Sequence, residues 1–154
     1  MDPARRQPQP QDLDGLVSDL AARVPDVLHA VVLSSDGLPL AWSDRMQFVA
    51  ADRLSATASG LISLAHGAAR ISGYGAVTQA LVVMERGTLV IMAIDDAASL
   101  AVLTTAADLD LVAYAMTILV EQAESLITSA ARGIVRGADD RPLQRRHHHR
   151  RHLP

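Results

Sequence analysis

The sequence contains no cysteine, and its 14 basic residues are all arginine, so lysine is missing as well. Without cysteine there is no disulfide, no thiol nucleophile and no thiolate zinc site. Without lysine there is no Schiff base, no lysine general base and no P-loop lysine. The chain is therefore not itself a P-loop GTPase or ATPase. Aromatic residues are scarce: one Phe, one Trp and two Tyr among 154 residues. Since 49% of the chain is hydrophobic, the core has to be built from Ala, Val, Leu and Ile. The length suits one domain with a real core.

A membrane-length apolar run is also lacking. The best candidate, "LDLVAYAMTILVEQ", meets Glu121 well short of the roughly 18 to 20 residues a span needs. The opening "MDPARRQPQPQ" is polar and proline-rich, without the apolar stretch of a signal peptide. The expectation is a cytoplasmic protein, brought to a membrane only through partners. The formal net charge is −3, unevenly spread: residues 11–137 carry 7 Arg against 14 acidic residues, residues 138–154 carry 5 Arg against 2 Asp. An acidic body argues against nucleic-acid binding by the folded part.

What is present reads as alternating elements. In "QDLDGLVSDLAARV", Leu13, Leu16, Val17, Leu20 and Val24 recur at helical spacing. Asp12 is placed to cap that helix, and Pro25 to end it. "VLHAVVLS" and "LPLAWS" are short and β-branched or apolar, and read as two strands. Between them Asp36 and Gly37 supply the backbone angles of a tight hairpin turn. A long helix follows, about residues 47–70. One of its faces carries Ala50, Leu54, Leu61, Ala65 and Ala68. The other carries Val49, Arg53, Ala56, Gly60, Ser63 and Gly67. Glycine inside a helix costs roughly 1 kcal/mol relative to alanine. Two of them on one face call for a close backbone neighbour: the same helix of a second subunit, or the protein's own sheet.

"AVTQALVVME", "GTLVIMAID" and "SLAVLTTA" read as three further strands, with turns at Arg86-Gly87 and Asp95-Asp96. Asp108 caps a last helix whose stripe runs through Leu109, Val112, Ala113, Met116, Leu119, Val120, Ala123 and Ile127, ending near Gly133. The predicted class is α+β in the order αββαβββα, a mainly antiparallel five-stranded sheet with helices on both faces. Residues 11–133 form the domain. Residues 1–10 and the Arg/His-rich 134–154 are expected to be disordered.

Chemical motifs are few. Asp95 and Asp96 are neighbours and read as a turn rather than a carboxylate pair. His29 and His66 have no sequence partner suggesting a metal pair or a triad. "SGYG" lacks the following helix of a nucleotide fold. No catalytic residue, cofactor site or metal site is assigned. The tail "RRHHHRRH" is interleaved with arginine, unlike an unbroken purification tag, and reads as a native segment. Its contacts with an acidic partner or anionic lipid would be salt-sensitive.

The order of elements resembles the Roadblock family, the dynein light-chain and gliding-motility type. "LDGLVSDLAARVPDVLHAVVLSSDGLPLAWS" is similar to the bacterial form of its first helix and hairpin, with Ser34 to Pro39 the most specific piece. "ALVVMERGTLVIMAI" and "SLAVLTTAADLDLVAYAM" are similar to its later strands and last helix. The resemblance spans about residues 11–132. It implies a non-enzymatic homodimer in which the second helix and third strand pair across subunits. It implies binding of a Ras-like small GTPase, with effects on the nucleotide cycle or placement. For a bacterial member of this length it implies coupling to a sensor histidine kinase.

On this reading Val49, Arg53, Ala56, Gly60, Ser63 and Gly67 form the dimer seam. Arg45, Arg70 and Arg86 are candidates for the partner surface. The resemblance implies regulation by reshaping the GTPase's switch regions rather than by an inserted arginine. Two other readings stand beside it: a small-molecule sensor of the PAS or GAF kind, which predicts an internal cavity, and a purely structural dimerisation module.

Overall fold

The computed structural model describes residues 12–139. Its elements are α1 (Leu13–Arg23), β1 (Val27–Ser34), β2 (Pro39–Trp42), α2 (Phe48–Ser72), β3 (Gln79–Met84), β4 (Gly87–Ala93), β5 (Ala98–Thr104) and α3 (Asp110–Asp139). This is the α+β order expected. Residues 1–11 and 140–154 lie outside the described residues, and with them the expected disordered N-terminus and most of the Arg/His tail; residues 134–139 of the expected tail are the end of α3.

The ends of the elements have local causes. Asp12 Oδ1 accepts from Gly15 N–H at 2.7 Å, which occupies one orphan donor of α1. Val24 is extended ahead of Pro25, and α1 stops there. At the β1–β2 turn Gly37 N–H donates to Ser34 O at 2.9 Å, and Ser34 N–H donates to Leu38 O at 2.9 Å. Gly37 takes the positive φ of +80°, while Asp36 stays on the ordinary side of the map. This is a three-residue hairpin loop with glycine in the left-handed position. Asp108 Oδ1 accepts from Asp110 N–H at 2.9 Å and starts α3 as expected. That helix does not stop near Gly133; it runs to Asp139.

All four strand pairings are antiparallel. The order is β2-β1-β5-β4-β3, so β5 returns to the middle beside β1. The last meander is thereby joined to the first hairpin through a single pairing, with Ala30 opposite Val102 and Val32 opposite Leu100. Strands β2 and β3 are left as the two edges.

The sheet separates two cores. On one face α1 and α3 pack through Val17, Leu20, Val112, Met116 and Ala123 against Ala30, Val32, Leu100 and Val102. Full burial of each larger side chain there stabilises by about 1.5–3 kcal/mol. Helix α3 is, by length and composition, able to cross a bilayer; in this fold its apolar stripe is spent on the core. On the other face α2 lies over Val31, Leu33, Leu89, Ile91 and Ala101. That layer is thinner, because the fully covered residues of α2 are only Ala51, Ser55 and Ala58.

Candidate functional site

Helix α2 has no proline and is rich in alanine, which favours its 25-residue length. It starts after an extended Gln47 that makes no side-chain cap. It ends at Gly73, whose left-handed φ of 70° lets its N–H reach Ala69 O at 3.0 Å. The inward face is centred on Ala51, Ser55 and Ala58, with Leu54, Leu61 and Ile62 half-buried at its margins. This shifts the phase expected from the sequence: Ala50 and Ala68 are exposed, whereas Leu54, Leu61 and Ala65 do turn partly inward.

The opposite face carries Val49, Arg53, Ala56, Gly60 and Ser63, all exposed, with Gly67 half-buried. A Cβ added at Gly60 or Gly67 would meet nothing within 4 Å. Neither glycine therefore packs on the protein's own sheet, which removes that explanation of the small-residue face. Ala56 and Ser63 have further neighbours inside the chain. The Ala56 backbone lies 3.4 Å from where a Gly37 Cβ would be. Ser63 lines a groove between α2 and the sheet.

Larger residues complete this face. Leu64 is 76% exposed, Ile71 91% and Tyr74, just past the helix, 93%. Leu64 and Ile71 are seven residues apart, parallel to Gly60 and Gly67, so the signal was a heptad spacing rather than side-chain size. Beside them runs the β3 edge, whose Ala80 and Val82 turn toward α2, so that the exposed Leu81 and Val83, the latter at 77%, lie on the other face of the sheet. An edge strand presents unpaired backbone N–H and C=O groups, a template for another strand.

The arginines do not form one cluster. Arg45 follows β2 and lines a cleft with Ser18, Leu28 and His29. Arg86 lies in the β3–β4 turn and lines a second cleft, again with Leu28. Both thus flank one end of the sheet. Arg70 sits in the last turn of α2, near the start of β3 and toward the opposite end. Asp36 and Gly37 stay in the hairpin turn. Asp95 Oδ1 accepts from Ala97 N–H at 2.8 Å, so that carboxylate serves the β4–β5 turn. Among the described residues, no three His, Asp or Glu side chains gather into a metal-binding group. This surface can pair backbone with backbone and apolar face with apolar face; it offers no arranged nucleophile, acid or base.

Comparison with known proteins places this geometry in context. The family model described as the Roadblock/LC7 domain matches residues 13–104. A crystal structure of a Roadblock/LC7 domain from Streptomyces avermitilis is 34% identical, with a TM-score of 0.72, covering 76% of this chain and 98% of that one. A second Roadblock/LC7 domain from the same organism is 41% identical, with a TM-score of 0.60, covering 72% and 97%. MglB from Myxococcus xanthus shares the fold at 13% identity, with a TM-score of 0.69, covering 75% and 94%. A search of curated protein sequences gave no match.

Proposed function

The chain belongs to the Roadblock/LC7 family, and from that premise we propose that it is a non-catalytic homodimeric regulator of a Ras-like small GTPase. One observation carries the reading: the outward face of α2, small and apolar, lies next to an unpaired, apolar β3 edge. A second copy satisfies both at once. Its β3 continues the sheet, and its α2 approaches over Gly60 and Gly67. Leu64 and Ile71 then leave water between the two helices, and Leu81 and Val83 meet their counterparts on the other face of the continued sheet. The family also sets aside a PAS or GAF sensor as the parent fold.

The finer parts of the proposal are the partner and the effect. The dimer's outer surface, with Arg45, Arg70 and Arg86 at its margins, receives the GTPase and alters its nucleotide cycle or its placement. Coupling to a sensor histidine kinase belongs to the same proposal. Light scattering with size-exclusion chromatography tests it, on the chain alone and with a candidate GTPase loaded with GDP or GTP. The expected result is a dimer that forms a larger complex in one nucleotide state. Val83→Lys, which puts a charge on the exposed edge, shifts the chain toward monomer without changing its circular dichroism. A monomeric wild-type chain at tens of micromolar removes the seam. A dimer indifferent to both nucleotide states removes the GTPase.

A further inference from the structure

The core under α2 changes character along the helix. Near its N-terminal half Met46, Leu54, Leu89 and Ile91 fill the space. Near its C-terminal half the facing residues are small, Ser59 and Ser63 above, Ala93 and Ser99 below. Short side chains on both layers cannot meet, and a groove of about 490 Å³ opens between helix and sheet. Its floor and inner wall are apolar, with Leu33, Ile62 and Val77. That volume lies within the roughly 300–1,000 Å³ of small-molecule sites.

The charge at its mouth is one-sided. Asp95 and Asp96 line it, together with His66, and among the described residues no arginine does. We propose that this groove binds a small organic amine: an apolar body against Ile62 and Val77, an ammonium group at the Asp95–Asp96 rim. Hydroxyls of Ser35 and Ser63 and of Thr78 supply further acceptors along the same rim. An anionic ligand of the same shape meets two carboxylates and, among the described residues, no guanidinium. The site belongs to one protomer, and the inference does not rest on dimerisation or on a GTPase. Its position gives it reach all the same, because Ser63 and His66 tie the groove to the helix whose outer face is exposed.

Three probes with one body separate the possibilities: n-hexylamine, n-hexanol and hexanoate, titrated into the full chain by calorimetry and amide NMR. The amine is expected to bind about fivefold tighter than the alcohol at low salt, the size of a solvent-exposed ion pair. Hexanoate is expected to bind weakest, and shifted amides to cluster at residues 59–66 and 92–99. Asp96→Asn is the cleaner rim variant, since Asp95 also holds its turn; it brings amine and alcohol within about twofold of each other. Ala76→Leu, at an exposed lining position, blocks all three probes while leaving the fold intact, and Ala93→Leu repeats the block from the sheet side. Equal affinity for the three head groups, amine binding that survives both filling variants, or no binding at all overturns the proposal. Light scattering in the same buffers records the oligomeric state. Amine binding seen only when the chain is monomeric means that the second copy fills the groove, and that outcome also overturns it.

Discussion

Gly37 holds φ at +80°, and a Cβ there would lie 3.3 Å from Ser59 Cβ and 3.4 Å from Ala56 Cα. Two costs therefore fall on one substitution. Gly73 has a similar φ of +70° but open space around it. Gly73→Ala is expected to cost about 1 kcal/mol, the left-handed penalty alone. Gly37→Ala is expected to cost about 1–2 kcal/mol more, because it also pushes the hairpin off α2 and strains the Ser59 Oγ donation to Ser35 O at 3.1 Å. Urea unfolding of the two variants decides this, and equal losses would mean that the hairpin turn does not bear on the helix. Ser55 offers the opposite sign. Its hydroxyl is fully buried and has no hydrogen-bond partner among the described residues. Such a group costs about 1–3 kcal/mol to desolvate. Ser55→Ala removes it with little change in volume and is expected to raise stability by about 1 kcal/mol; a loss instead would show that the hydroxyl is satisfied in solution.

Helix α2 carries a contest between propensity and contact. Glycine to alanine inside a helix gains about 1 kcal/mol per site, and a Cβ at Gly60 or Gly67 touches nothing in a single chain. The double variant Gly60→Ala, Gly67→Ala is therefore expected to unfold at higher temperature at concentrations where the chain is monomeric. If a second helix packs over this face, the same methyl groups hold the backbones apart, and the dimer dissociation constant rises by about tenfold or more, following the cost of overpacking. Sedimentation equilibrium and melting read the two effects separately. A higher melting temperature with an unchanged dimer constant would leave the glycines without an interface role. The helix also shows where sequence reading stops. Caps and turns were legible, because Asp12, Pro25, Gly37 and Asp108 each act on backbone groups within a few residues. The inward face of α2 was not, because Ala, Ser and Gly occupy both sides and the apolar signal that sets helical phase is weak. Ala50 and Ala68 look as apolar as Ala51 and Ala58; only the neighbouring sheet tells them apart. The candidate seam was legible as a small-residue face, and the third strand joined it through the family resemblance, while the exposure of Leu64 and Ile71 beside that face needed the fold.

Strand order belongs to the whole molecule, and local sequence does not encode it: nothing within β5 says that it lies between β1 and β4. The consequence is an uneven division of stability. Strands β1 and β5 are central and covered by α1 and α3 on one side, with Val112, Met116 and Leu119 nearly fully buried. Helix α2 covers the other side with alanine and serine, and a buried methyl is worth only about 0.8 kcal/mol. A single chain therefore holds α2 and the β3 edge less firmly than its centre. If a second copy adds the missing contacts, it adds them to these two elements. Hydrogen exchange measured above and below the dimer constant tests this directly. On dilution, amides of α2 and β3 are expected to exchange at least about tenfold faster, the equivalent of roughly 1.4 kcal/mol of lost local stability. Amides of β1 and β5 are expected to keep their rates, because they open only with the whole fold. Dissociation seen by light scattering with no change in α2 exchange would mean that the thin inner layer suffices on its own. Acceleration in every element alike would mean that the two copies fold as one unit, with the α1–α3 core dependent on the partner as well.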